Sequence, residues 1–488
     1  MPGTTPDFAA LRLMRAGRLE EARVLAEQAV AEARVYTSAH GLLATILVQL
    51  GRPAEADAVV REAIALEPAG ADACDALAYV SLHLGCHERA NVLYRRAAEL
   101  APDTARHWYN LATSERSFGR LDEAEAACNR AIGLDAHEYR SFLLRSELRV
   151  QTAAANHLTE LRRILERPGL DDRARVFLGY ALGKELDDLQ QFESAFRWFA
   201  EAAGTRRRHL DYDVSLDEHK LRRITEVFPG NSPQAHDDAE NSERFIFIIG
   251  LPRSGTTLLE RILLNLPGVR SNGETENFAR ALLGGESART GPVPGDVFAR
   301  AAAADPRAVA ARYAQLARAQ RGEWIIEKLP MNYLYLGAIQ RALPRARLLL
   351  VSRTPLDSCF AMFRTLFGDA YPFSYDFNDL ARYYAAYAEL VRHWRATLGE
   401  NIHEVQYELL VGDPIGTASA AARFCGLTWS DSAIAIERNS AVSLTASAAQ
   451  VRRPIYGSSS GRWRHYREHL APLIASLRGR QIELPAGA

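Results

Sequence analysis

Apolar and polar positions follow two different rhythms along the 488 residues of this chain. In the first part, small residues recur at a fixed period: Gly17, Gly51, Gly85 and Gly119 stand 34 apart. Ala10, Ala44, Ala78 and Ala112 precede them by seven positions, Ala22, Ala56, Ala90 and Ala124 follow by five, and Ala29, Ala63, Ala97 and Ala131 by twelve. Small residues at set places on paired helices allow close approach, glycine supplies the turn, and Pro68 and Pro102 close two units. Each unit is therefore expected to be a helical hairpin, and a stack of hairpins buries its core only between neighbours while presenting a concave face. From 143 to 203 the text stays helical, with Leu158, Leu161, Ile164 and Leu165 and then Phe192, Ala195, Phe196 and Phe199, but the glycine spacing lapses. One or two irregular closing pairs are expected there. A further helix over TRRRHLDYDVSLDEHKLRRITEVF leads into PGNSPQAHDDAENS, a polar stretch read as a boundary near residue 240.

Beyond Arg244 the period changes. RFIFIIG (244–250), EWIIEK (323–328), ARLLLVSR (346–353) and IHEVQYELL (402–410) are short apolar runs separated by helix-like text, the βαβ rhythm of a parallel sheet. The expected organisation is an α-solenoid over 1–210, a helical linker and boundary over 211–243, and an α/β domain with a central parallel sheet over 244–488. Functional residues of such sheets gather at the C-terminal ends of the strands. The loop after Ile249, Lys328 and Arg353 occupy those places.

The first of these is a strand, a glycine loop and a helix in sequence, RFIFIIG-LPRSGTT-LLERILLNL, in which successive backbone N–H groups and a helix N-terminus can surround a phosphate. Gly250-x4-Gly255 has the spacing of a nucleoside triphosphate loop, yet Thr256-Thr257 stands where such loops need Lys-Ser/Thr. A cation, Arg253, lies inside the loop instead. A nucleotide with a terminal 5′-phosphate suits it, nothing in it calls for magnesium, and a P-loop kinase or triphosphatase is the alternative that the missing lysine disfavours.

Composition narrows the field. A formal net charge of -1 from 59 basic and 60 acidic residues removes the footprint of a nucleic-acid binder, so an anion site must be local. The N-terminal text has no apolar core of a signal peptide and no long apolar run appears, so neither a leader nor a membrane span is expected and the location is read as cytoplasmic. Cys74, Cys86, Cys128, Cys359 and Cys425 lack metal or disulfide spacing and are read as thiols, and no metal site is expected. Lys184, Lys220 and Lys328 are the only lysines, so a retained lysine points to chemistry that arginine cannot replace.

Two resemblances follow. Ala-x6-Gly-x4-Ala-x6-Ala in four consecutive units, with Leu43, Leu77, Trp108 and Leu111 at the large apolar positions, resembles the tetratricopeptide repeat. This implies a groove for a peptide or protein partner, the other role being a scaffold or dimer surface. PRSGTTLLERIL with a downstream Gly-Glu, then EKLPMNYLYLG, RLLLVSRTPLDSCF, AYPFSYDFNDLARYY and PIYGSSSGRWRHY, resembles the sulfotransferase family, nearest to its bacterial type joined to such repeats and similar to protein-tyrosine sulfotransferases. That resemblance implies a P-loop-like α/β fold and metal-independent transfer of a sulfuryl group from 3′-phosphoadenosine 5′-phosphosulfate (PAPS) to a hydroxyl, leaving the 3′,5′-bisphosphate (PAP). The acceptor it implies is a peptidyl tyrosine, another phenol or an alcohol. A non-catalytic repeat adaptor is the remaining alternative.

Carried over by position, Arg253, Ser254, Gly255, Thr256 and Thr257 match the 5′-phosphosulfate loop, with Arg253 also acting in catalysis, and Arg353 matches the 3′-phosphate arginine. Where many members carry a serine eight residues beyond that arginine, this chain has Ala361, and Ser358 is the expected substitute. Arg462 and Trp463 match the cofactor-closing motif; their plainer reading is a surface arginine and a core aromatic. Glu274 matches the base, with Glu276 as the alternative and a helix cap as the plain use. Lys328 matches the lysine that stabilises the transferring group, against a salt bridge to Glu327 or another carboxylate. Tyr371, Phe373, Tyr375 and Phe377 read as an acceptor lid or as packing. His393, His403, His465 and His469 read as structural.

Overall fold

A computed structural model of the chain describes residues 6–32, 37–230, 244–284, 296–320, 322–445 and 447–488. Contacts divide it into two compact units, Met1–Ser141 with Leu283–Gly295, and Phe142–Leu282 with Asp296–Ala488.

The first unit is built from α1 (Pro6–Arg15), α2 (Leu19–Glu32), α3 (Thr37–Gln49), α4 (Pro53–Ala65), α5 (Ala71–His83), α6 (His87–Leu100), α7 (Ala105–Phe118) and α8 (Leu121–Leu134), which pair in order as the expected hairpins. The four period glycines all take φ between 73° and 79°, the left-handed turn in which a β-carbon is unfavourable. The alanines at the three repeating positions are 5% exposed or less in every unit, so each supplies a close helix contact. Pro68 and Pro102 follow the ends of α4 and α6.

The second unit begins inside α9 (Tyr139–Glu147) and continues through α10 (Leu158–Leu165), α11 (Asp172–Asp188), α12 (Phe192–Arg208) and α13 (Val214–Val227) before the sheet is reached. The division at Ser141 lies well ahead of the expected solenoid end at 210. The reason is the partner of α11 and α12: the Tyr180 hydroxyl donates to the Phe363 carbonyl at 3.1 Å, and Phe192 and Phe196 stack on His465 and His469 with centroids 4.4 Å apart. Their apolar faces cover the C-terminal part of the chain. The polar stretch read as a boundary near 240 lies outside the described residues.

Five parallel strands, β1 (Phe245–Gly250), β2 (Val269–Ser271), β3 (Trp324–Glu327), β4 (Arg347–Ser352) and β5 (Ile402–Gln406), lie in the order β2-β3-β1-β4-β5. Helices connect them: α14 (Thr256–Leu264) after β1; α15 (Asn277–Leu282), α16 (Val297–Ala303) and α17 (Pro306–Leu316) after β2; α18 (Leu336–Ala342) after β3; α19 (Pro355–Phe363) and α20 (Phe377–Leu398) after β4. α21 (Tyr407–Gly412), α22 (Pro414–Cys425) and α23 (Ala471–Gly479) complete the unit. Both faces of β1 are buried. Ile246 and Ile248 pack with Leu259, Ile262 and Ala418, while Phe245 and Phe247 pack on Tyr313 and Phe278. This is why the strand reads as an unbroken apolar run. β2 is too short to show a period and was not expected, and β5 stops at Gln406 because Tyr407 opens a helix.

Gly250 pairs with Val351 in the sheet, and a β-carbon at 250 would stand 2.4 Å from the Val351 carbonyl oxygen, at a φ of 149°. Gly250→Ala is expected to destabilise the second unit by about 2–4 kcal/mol through strain and overpacking. Gly85→Ala, whose β-carbon would meet nothing within 4 Å, is expected to cost about 1–2 kcal/mol, from the left-handed φ alone. Urea unfolding midpoints compare the two.

Candidate active site

The parallel register brings the C-terminal ends of β1, β3 and β4 to one edge, with Phe247 beside Glu327 and Gly250 beside Val351. The loop that leaves β1 turns sharply. Arg253 takes φ 66° and Gly255 φ 105°, and a β-carbon on Gly255 would lie 2.5 Å from the Tyr407 ring. Thr256 then starts α14, so backbone N–H groups of the loop and of a helix N-terminus are presented together.

A cavity of about 300 Å³ opens on this loop, lined by Arg253, Gly255, Thr256 and Thr257, by Glu274 and by Arg353, with Phe367, Tyr371 and Tyr407 on its walls. Arg253 donates to the Ser447 hydroxyl and to Gln450 Oε1 at 2.9 Å. Burial, then the charges of Arg364 and Arg353, pull its pKa down to about 10. Arg353, almost fully buried, donates from Nη1 to the Arg253 carbonyl at 3.0 Å and from Nη2 to the Ser459 carbonyl, with its guanidinium 4.7 Å from the Tyr407 ring centre. The Ser254 hydroxyl and Arg353 Nε are buried with no partner among the described residues.

Glu274 and Lys328 meet at the mouth of β3. Lys328 Nζ donates to Glu274 Oε1 at 2.6 Å and lies 3.6 Å from Glu260 Oε2; the lysine is wholly buried and the Glu274 side chain one third exposed. The neighbouring Glu327 takes no part in this pair, because adjacent strand residues point to opposite faces. It is buried on the other side, accepting from Thr275, Asn272 and Tyr313. Glu276 does not line the cavity, and its charge falls on Tyr335.

Other expected residues sit elsewhere. Ser358 is buried and donates to the Arg353 carbonyl at 3.2 Å, away from the cavity, which is lined by Ala361 instead. Trp463 is a buried core aromatic whose N–H donates to Asp357 at 3.3 Å. Arg462 is held by Asp187 at 2.6 Å and lines an adjoining cavity of about 520 Å³. Of the four aromatics, Tyr371 lines the first cavity, whereas Phe373 stacks on Tyr383 at 3.6 Å, Tyr375 bonds the 367–368 backbone and Phe377 packs on Phe363. His393 Nε2 donates to the Phe228 carbonyl at 2.8 Å, as a structural histidine would. Sequence reasoning missed Arg364, Arg453, Tyr407 and the wall residues Thr445, Ser447, Gln450 and Val451. In a chain this rich in arginine, no spacing marks Arg364 or Arg453.

Residues 245–431 match the model of the sulfotransferase family, and residues 37–69 and 105–138 that of the tetratricopeptide repeat. Except for 283–295, the first match lies within the second unit, and the other two lie within the first. An uncharacterised protein of Aquifex aeolicus is 26% identical over 373 residues, 74% of this chain and 48% of that protein, so the match spans about half of that relative's length. Protein-tyrosine sulfotransferase 2 of Gallus gallus is 26% identical over 314 residues, 55% of this chain and 81% of that protein. Among solved structures, the sulfotransferase domain of the Synechococcus PCC 7002 olefin synthase aligns at 20% identity with a TM-score of 0.39, over 52% of this chain and 99% of that one. Among the described residues, no helix is long and apolar enough to cross a membrane.

Burial raises the Glu327 carboxyl from the ordinary 4.5 to about 7, although Thr275, Asn272 and Tyr313 donate to it. The folded state keeps this proton where the unfolded chain has released it. Its contribution is therefore full below about pH 4.5, is lost as pH rises toward 7 and is level above. Glu327→Gln should remove that decline, gaining about 3 kcal/mol relative to the parent between pH 4.5 and 8. Urea midpoints of both proteins across this range test it.

Proposed function

We propose that this protein transfers a sulfuryl group from PAPS to an acceptor hydroxyl, without a metal. The observation that carries the reading is Glu274, paired with the buried Lys328, lining the same cavity as Arg253, Gly255, Thr256 and Thr257 of the loop and Arg353. The loop N–H groups, the unpartnered Ser254 hydroxyl and Arg253 suit a 5′-phosphosulfate, and Arg353, with a buried unpaired Nε, suits the 3′-phosphate. When bound, the donor supplies the sulfuryl group and a phosphate as leaving group. Glu274, partly exposed, takes the proton of the acceptor hydroxyl. Lys328 holds positive charge where negative charge grows, and its compact ammonium can approach one oxygen in a way that a planar guanidinium cannot. Thr256 in place of the triphosphatase lysine supports this reading over a kinase.

The acceptor is read as a phenol, a peptidyl tyrosine among them, because Tyr371 and Phe367 line the cavity together with Glu274. The repeats are read as the dock for that acceptor or for a protein partner, raising its local concentration. Substitutions along the groove should then raise KM for the physiological acceptor and leave a small phenol unaffected; equal KM throughout would favour a scaffold role.

Calorimetry should find that PAP binds far more tightly than ATP, and that Arg353→Ala loses about 1.5–3 kcal/mol of PAP affinity while leaving the form without the 3′-phosphate nearly unchanged. Glu274→Gln should keep PAP binding and lower turnover of labelled PAPS by roughly 10²–10⁴-fold. Active Glu274→Gln beside inactive Glu276→Gln would move the base by two residues, and equal affinity with and without the 3′-phosphate would remove Arg353 from its role.

A further inference from the structure

Asp187 lies near the end of α11, outside the residues that match the sulfotransferase model. Its side chain is only 2% exposed, and every oxygen is engaged. Oδ2 accepts from Arg364 Nη1 at 2.7 Å and pairs with Arg462 Nη2 at 2.6 Å. Oδ1 accepts from Arg462 Nε at 3.2 Å and from the Tyr466 hydroxyl, and the Asp187 carbonyl accepts from Arg462 as well. Burial by itself would push this carboxyl up, yet Arg364 and Arg462 hold it below its ordinary value.

The two arginines that it holds are wall residues. Arg364 lines both cavities, Arg462 lines the larger one, and Arg253 and Arg453 line both. Guanidiniums crowded on one wall repel each other, and the lowered pKa of Arg253 carries a contribution from Arg364. The Asp187 carboxylate, itself on the lining of the larger cavity beside Asp188, offsets that repulsion and uses one edge of Arg364 and one edge of Arg462, which fixes the orientation of what remains.

We propose that Asp187 is a positioning residue for the sulfuryl donor: through Arg364 and Arg462 it sets the anion-binding wall, so that a helix preceding the family domain completes the donor site. The inference rests on the PAPS reading above. It assigns α11 a part in donor binding and none in the transfer step.

The test uses the full chain, with PAP as the probe in calorimetry and PAPS with a small phenol in kinetics. Asp187→Asn keeps the shape and removes the charge. The expected result is a rise of about tenfold or more in the PAP Kd and the PAPS KM, with kcat and the phenol KM within about twofold of the parent. In an Arg364→Gln/Arg462→Gln background the same substitution should do little, because the groups through which it acts are gone. A purely structural carboxylate would instead lower kcat and both KM-based efficiencies together and would add its full effect in that background; either outcome overturns the proposal, as does an unchanged PAP Kd. If Asp187→Asn does not fold, Tyr466→Phe, which removes one donor to the same carboxylate, should raise the PAP Kd about two- to fivefold by loosening it, with kcat unchanged, and no rise counts against the proposal. A parent protein that binds no PAP overturns the donor reading and this inference together; a parent that binds while Asp187→Asn binds equally overturns only the inference.

Discussion

Everything at the candidate site follows from how closely β1 approaches β4 at their C-terminal ends. Gly250 sits against the Val351 carbonyl with no room for a β-carbon, and the chain must turn away at once. The turn carries Arg253 into a left-handed conformation and delivers Thr256 to the start of α14, while β4 delivers Arg353 directly beneath the same loop, close enough to bond the Arg253 carbonyl. A looser sheet edge would separate the loop from the arginine. The tight one builds a single pocket from two strands.

Charge is then managed by a few buried carboxylates. Asp357 at the start of α19 accepts from the Gly461 and Trp463 backbone N–H groups, so the 461–463 segment is tied to the helix after β4 by main chain rather than by side chains. Glu260 and Glu274 flank the buried Lys328, and Asp187 backs Arg364 and Arg462. Each of these removes a cost that an unpaired buried charge would impose. Ser254 Oγ and Arg353 Nε, in and beneath the loop, are among the buried polar atoms left without a partner among the described residues.

The repeats and the strand-loop-helix were legible because each rests on a strong local rule. Glycine at a left-handed turn every 34 residues, and an apolar run buried on both faces, leave little else for those residues to do. Lys328, Arg353 and the 253–257 loop could be singled out for the same reason, lying at strand ends or in a glycine loop, whereas Glu274, after a strand too short to read, was reached through the family resemblance alone. What escaped depends on direction and on distance along the chain. Ser358 and Ala361 share one helix, yet only the latter lines the cavity. Glu327 and Lys328 are neighbours, yet their side chains leave the strand on opposite sides. The text of 143–203 announced itself as helical, but nothing in it says that the surface α11 and α12 cover is the far end of the chain. Arg364 and Arg453 are two arginines among many, and a three-residue strand such as β2 has no period to read.

The bond between Asp187 and Arg462 spans 275 residues of sequence. During synthesis α11 leaves the ribosome long before its cationic partners exist, so its carboxylate must remain hydrated until the chain is nearly finished. The helical hairpins of the first unit, held by neighbours within one period, can form as they emerge. The second unit cannot close in the same way. Its last step is a long loop closure, set by entropy that has to be spent before the arginines and aromatics of the C-terminal segment dock. The molecule therefore combines a first unit that can fold early with a larger one whose assembly waits for the final residues, and the interval between them is when its apolar α12 face is most open to aggregation.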